Sequence, residues 1–267
     1  MNSYIINKKT VLFFDVDGTL VDEKNVDYSI LNQYRRMGIN IGIATGRSPL
    51  QAKEILKNEC FNYYSILCDG QLVVRKDKYY IVRSFSFSEY IEMKKYLEKN
   101  TLFSEEYENG MFFESKKTYR FFKLSKIYND IVVLEDKSKT RLNVPLVVWA
   151  ISKAKIASVN LCDEINNLYP FANATMYGEY WIKIVPRNID KYYGLQQIKK
   201  IDMEEKEIYY IADGRNDINM MKNVEHKIAV KSADLELITK TGCRQLDKEL
   251  QDYLKEDFLR ELNGYRI

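Results

Sequence analysis

Asp15 and Asp17 stand two residues apart in Asp15-Val16-Asp17-Gly18-Thr19, just past the apolar run Val11-Leu12-Phe13-Phe14. On an extended chain residues i and i+2 point the same way, so both carboxylates are expected to face one site. Gly18 allows a tight turn, and Thr19 offers a hydroxyl as the chain leaves it. A second acidic pair, Asp213 and Asp217, follows the apolar stretch from Ile208 to Ala212 in the loop Asp213-Gly214-Arg215-Asn216-Asp217. If the four carboxylates converge at about 5 Å, each pair repels by roughly 3 kcal/mol at an effective dielectric of about 20. Such a cluster either takes up protons or holds a cation. Oxygen donors without Cys or His favour Mg2+ over zinc or copper. Mg2+ in turn points to phosphoryl chemistry, where the metal neutralises charge on the group in transit.

The elements that must position these residues alternate along the first third of the chain. Val11 to Phe14 is a continuous apolar run, as expected for a strand buried on both faces of a parallel sheet. A helix is expected over Tyr28 to Met37, stopped by Gly38, and a second buried strand over Ile39 to Ala44. Ser48 and Pro49 read as the N-cap and first turn of another helix, and Tyr64 to Leu67 as a third strand. This rhythm predicts an α/β fold, a Rossmann-like doubly wound parallel sheet. In such a sheet ligands gather at the carboxyl ends of the strands, where both acidic pairs lie.

The rhythm changes between about Ser84 and Tyr180, a stretch rich in Tyr, Phe, Lys and Glu. Ser88 to Lys99 reads as an amphipathic helix, and Thr101 to Tyr107 and Met111 to Glu114 as short strands around the hairpin signal Asn109-Gly110. Residues 84–181 are expected to form an inserted α+β domain, with residues 1–83 and 182–267 as the discontinuous core. Beyond the insert, strands are expected at Trp181 to Val185, Glu207 to Ile211 and Lys227 to Val230. Helices are expected at Lys191 to Lys200, Asn216 to Lys222 and Asp247 to Leu262.

Bulk properties narrow the function classes. Forty-one basic and 38 acidic residues leave a formal charge of +3, so no nucleic-acid partner is expected. The polar segment from Met1 to Thr10 lacks the apolar region of a signal peptide. The run Val144 to Ile151 is far shorter than the roughly 20 residues of a membrane helix. Cys60, Cys68, Cys162 and Cys243 show no metal-ligand spacing and read as reduced, mostly buried thiols. His226, the only histidine, lies in a polar loop and is expected at the surface. Together these features predict a cytoplasmic enzyme.

Four motifs in order resemble those of the haloacid dehalogenase superfamily of phosphatases. Val11 to Leu20 is similar to the first, and Ile43-Ala44-Thr45-Gly46-Arg47 to the second. Ile184-Val185-Pro186 with Asp190-Lys191 and Gly194-Leu195 is similar to the third, and Ile211 to Met221 to the fourth. The position of the insert resembles the Cof-type subgroup, subclass IIB. The resemblance implies that Asp15 attacks phosphorus to form an aspartyl-phosphate. It implies that Asp17 protonates the leaving oxygen and then takes a proton from the hydrolytic water. Thr45 and Gly46 would bind the phosphoryl group, Lys191 would set a positive charge against it and Asp15, and Asn216 would orient phosphate or Lys191. Asp15, the Asp17 backbone carbonyl, Asp213 and Asp217 would hold Mg2+, the last directly or through water.

The insert would then be a cap that closes over a small phosphorylated metabolite, with a sugar phosphate as the expected class. A phosphosugar mutase using the same nucleophile, or a silent phosphometabolite-binding protein, are the alternatives. Several positions depart from the family pattern. Ala212 replaces a Gly, Cys68-Asp69-Gly70-Gln71 stands where Asn-Gly-Ala is common, Tyr192 replaces a Gly, and the tail after Val230 is shortened. None removes a catalytic group.

Overall fold

A computed structural model describes residues 9–21, 27–76, 78–125, 131–152, 158–177 and 179–264; most of the polar start of the chain lies outside them. In chain order the elements are β1 (Thr10–Phe14), α1 (Tyr28–Arg36), β2 (Asn40–Ile43), α2 (Pro49–Leu56), β3 (Ser65–Leu67), β4 (Leu72–Arg75) and β5 (Lys78–Ile81). There follow α3 (Phe87–Asn100), β6 (Thr101–Glu106), β7 (Met111–Phe113), α4 (Lys116–Leu124), β8 (Val147–Ser152), α5 (Ser158–Leu168), β9 (Ala172–Tyr177) and β10 (Trp181–Pro186). The chain closes with α6 (Lys191–Ile201), β11 (Glu207–Ala212), α7 (Ile218–Lys222), β12 (His226–Ala229), α8 (Leu235–Thr241), β13 (Arg244–Gln245), α9 (Leu250–Glu256) and α10 (Phe258–Gly264). Two compact units result, one within residues 1–46, 53–82 and 190–267, the other within 47–52 and 83–189.

The first unit is built on a parallel sheet of order β13-β12-β11-β1-β2. β1 lies between β11 and β2, in register Val11 to Ile208 and Val11 to Asn40. Every residue of β1 is buried, which is why its sequence is an unbroken apolar run with no polar face. The chain goes one way from β1 to β2, whereas β11, β12 and β13 run out on the other side. The strand order therefore reverses between β1 and β11, the position at which open α/β sheets form a crevice. β3 extends this edge through a parallel bridge from Ala44 to Ile66 and turns back into the antiparallel strands β4 and β5. α6 is capped by Asp190, whose carboxylate accepts from the N–H groups of Tyr192 (2.9 Å) and Tyr193 (3.3 Å).

The second unit is an antiparallel sheet of order β7-β6-β8-β10-β9, with α3 and α5 packed on it around Tyr90, Met93, Leu97, Phe103 and Ile165. α3 opens with a reciprocal cap between Ser86 and Glu89. The β6–β7 turn closes where Tyr107 N–H donates to the Gly110 carbonyl at 2.9 Å, in the expected Asn109-Gly110 hairpin.

Two expectations are corrected. Trp181 to Val185 does not return to the parallel sheet: β10 pairs antiparallel with β8 and β9, and the first unit resumes at Asp190. A half-buried alternation specifies a strand but not its neighbours. The expected single helix from Asp247 to Leu262 is broken between α9 and α10 at Asp257. The break turns Phe258 fully inward, with its ring 5.3 Å from that of Tyr34 and 5.5 Å from that of Tyr209.

Candidate active site

Both acidic loops leave the carboxyl ends of neighbouring strands. The Asp15 N–H donates to the Ile211 carbonyl at 2.9 Å, so the ends of β1 and β11 stay joined up to the residues that carry the carboxylates. Oxygens of Asp15, Asp213 and Asp217 lie within 4.8 Å of one another. Asp15 is 3% exposed and Asp217 wholly buried. Lys191, also wholly buried, sets its Nζ 2.5 Å from Asp15 Oδ1 and 2.6 Å from Asp217 Oδ1.

Asp17 is the exception. The strand ends at Phe14, and Val21 N–H returns to the Val16 carbonyl at 2.9 Å, so residues 15–21 form a turn and not an extended chain. The Asp17 side chain is exposed, and the close group of carboxylates is formed by Asp15, Asp213 and Asp217. Gly18 makes this turn possible in two ways. Its φ of +81° suits glycine, and a Cβ there would lie 2.2 Å from Asp213 Oδ2. Thr19 Oγ1 donates to Asp213 Oδ1 at 3.3 Å.

Thr45 and Gly46 follow β2 beside this cluster, since Ala44 N–H donates to the Phe14 carbonyl at 2.8 Å. Thr45 is wholly buried, and its N–H donates to the Ile66 carbonyl at 2.9 Å. Asn216 stands apart: its side chain is exposed, its Oδ1 lies against Gly214, and among the described residues no hydrogen bond to Lys191 is seen.

The residue that motif reading missed is Tyr210. It sits inside β11, wholly buried, and its hydroxyl donates a short hydrogen bond to Asp217 Oδ1 and lies 3.4 Å from Lys191 Nζ. Gly214 N–H donates to Asp217 Oδ2 at 3.1 Å. Asp217 is thereby held by a lysine, a phenol and a backbone amide. The available signal was a tyrosine in a strand buried on both faces, where a phenol needs a partner. Asn219 is a second such support, donating to the Asp190 cap of α6 at 2.7 Å.

The charges in this pocket do not balance. Burial raises the Asp15 carboxyl from 3.8 to about 8; Lys191 opposes the rise, and Asp217 and Asp213 add to it. Burial likewise raises Asp213, with Asp217 contributing. Burial works against the Lys191 ammonium, but Asp217 and Asp15 outweigh it and hold the group above its usual range. One lysine faces three carboxylates, so the pocket is short of positive charge. The oxygen-only donors at this spacing fit a hard divalent cation, with Asp15, Asp213 and Asp217 as the side chains that would hold it.

A search of curated proteins by sequence found no match. Three solved structures illustrate the likeness of fold. A haloacid dehalogenase-like hydrolase from Bacteroides thetaiotaomicron superposes with TM-score 0.73 at 17% identity, over 93% of this chain and 99% of that one. An HAD/COF-like hydrolase from Plasmodium vivax gives 0.68 at 19% identity, over 96% and 95%. A sugar phosphatase of HAD subclass IIB gives 0.64 at 16%, over 96% and 98%. At these identities the likeness is one of architecture. The sequence itself settles membership, because the profile of haloacid dehalogenase-like hydrolases matches residues 12–244, and the chain belongs to that family.

Proposed function

We propose that the protein is a Mg2+-dependent phosphatase that hydrolyses small phosphorylated metabolites through an aspartyl-phosphate on Asp15. The observation that carries this reading is the buried contact of Asp15 with Lys191 inside the Asp15–Asp213–Asp217 group at the sheet's switch point. When bound, the cation would neutralise charge on the carboxylates and the phosphoryl oxygens. Asp15 supplies the nucleophilic oxygen; its bond to phosphorus forms as the bond to the leaving oxygen breaks. Asp17, exposed at the mouth of the turn, gives its proton to that oxygen. It then accepts a proton from the water that cleaves the aspartyl-phosphate and restores Asp15. Lys191 keeps Asp15 oriented and opposes the negative charge of the transferring group. Thr45 and Gly46 bind phosphoryl oxygens from the neighbouring strand end.

The substrate reading is a sugar phosphate. Its supports are the tyrosine-, phenylalanine- and lysine-rich second unit, proposed as the cap over residues 84–181, and a sugar phosphatase among the structures of like fold. Phosphate release from a panel of sugar and nucleotide monophosphates, with Mg2+ and with chelator, tests the proposal. Turnover is expected only with Mg2+ and to be highest on sugar phosphates. Activity that survives chelation, or that survives in Asp15→Asn, would contradict the mechanism.

A further inference from the structure

In the second unit, α4 has the sequence Lys116-Lys117-Thr118-Tyr119-Arg120-Phe121-Phe122-Lys123-Leu124. Thr118 and Phe122 are buried. The Phe122 ring lies 5.6 Å from Phe113, 5.9 Å from Trp149 and 5.0 Å from Trp181, and Ser115 caps the helix through Thr118 N–H at 3.2 Å. The helix is thus firmly seated by one face.

Its other face carries Lys116, Lys117, Arg120 and Lys123, all exposed, and no acid. The ion pairs of this unit run from Lys94 and Lys137 to Glu98 and Glu105; among the described residues none involves α4. With a formal charge of +3 for the whole chain, the rest of the molecule is slightly acidic, so this positive charge is local. Among the cations stand Phe121, 45% exposed, and Leu124, 78% exposed. They are three residues apart, so they share one side of the helix.

We infer that the exposed face of α4 is a docking surface for an anionic lipid bilayer. Charge complementarity requires an anionic partner, and the large apolar side chains among the cations select its kind. A bilayer interface takes up Phe and Leu side chains while lysine and arginine reach its headgroups. A nucleic-acid backbone would pair the cations and leave Leu124 in water. None of the residues assigned to the phosphoryl site belongs to this surface, and the inference does not depend on the function proposed for that site. It is also distinct from spanning, as no helix among the described residues is long and apolar enough to cross a membrane.

The test is co-sedimentation of the full chain with vesicles of phosphatidylcholine containing phosphatidylglycerol, and of phosphatidylcholine alone. Binding is expected only to the anionic vesicles and to be lost at high salt. Each of Lys116→Gln, Lys117→Gln, Arg120→Gln and Lys123→Gln should weaken partitioning by about fivefold. Phe121→Ser with Leu124→Ser should weaken it while leaving the salt dependence in place. An unchanged thermal midpoint shows that each variant is folded, and the single variants carry the test should a combined one fail to fold. Equal binding to neutral vesicles, undiminished binding by the variants, or capture of duplex DNA in preference to anionic vesicles would overturn the inference.

Discussion

Each buried polar atom around Asp15 has a physical consequence that can be measured. The Asp15 carboxyl has an ordinary value of 3.8 in the unfolded chain and about 8 in the metal-free fold. Between those limits the folded state holds the proton and the unfolded state releases it, so stability falls as pH rises through this window. Thermal midpoints of metal-free protein should decline from pH 4 towards 8, and the decline should shrink in Asp15→Asn, which cannot titrate. An identical slope in the variant would reject the assignment. Tyr210→Phe removes one of the three donors on Asp217 and should cost about 1–3 kcal/mol in urea unfolding. At this scale the sequence disclosed the carboxylates and Lys191 through their spacing beyond apolar runs. It did not disclose Tyr210, whose partner Asp217 is seven residues on and reached only by the fold of the loop. At Asp17 the i, i+2 rule was carried past its element, since the strand stops one residue before Asp15.

The elements matter through where they end. β1, β2 and β11 were legible because buried parallel strands are rich in apolar residues; the Asp190 cap that starts α6 came to light only in the structure. The hairpin β4–β5 was not, since β5 is largely exposed and carries little apolar pattern. β10 was legible as a strand yet was given to the other unit, because its antiparallel hairpin partner β9, just before it in the chain, was not read as a strand. One loop joins these ends directly. Cys68 and Asp69 both have φ of +51°, Gly70 has φ of +99°, and Asp69 N–H donates to the Thr45 carbonyl at 3.1 Å. A Cβ on Gly70 would stand 1.9 Å from the Asp190 carbonyl oxygen, at the start of the helix that carries Lys191. Gly70→Ala should therefore force the first turn of α6 outward. A stability loss of about 2 kcal/mol or more is expected from strain and contact together, with a fall in kcat larger than any rise in KM. A variant with wild-type kcat would show that this loop does not set Lys191.

On the scale of the whole molecule, three carboxylates facing one lysine leave the first unit short of positive charge, which a bound cation would relieve. Mg2+ should raise the thermal midpoint in proportion to its binding, about 2.7 kcal/mol at a hundredfold excess over Kd, and Asp213→Asn should abolish the rise. The four ordered motifs made the family legible at this scale, since the chemistry is written in residues at strand ends. The leaving group was not: the tyrosines and phenylalanines of the second unit are mostly committed to their own packing, so none of them stands out as a substrate contact. The central claim concerns Asp15. Wild-type protein mixed with a substrate sugar phosphate and Mg2+, quenched in acid within a turnover and digested for mass spectrometry, should carry one phosphoryl group on the peptide containing Asp15, and Asp15→Asn should carry none. A phosphoryl group on any other residue, or rapid turnover with none at Asp15, would contradict it.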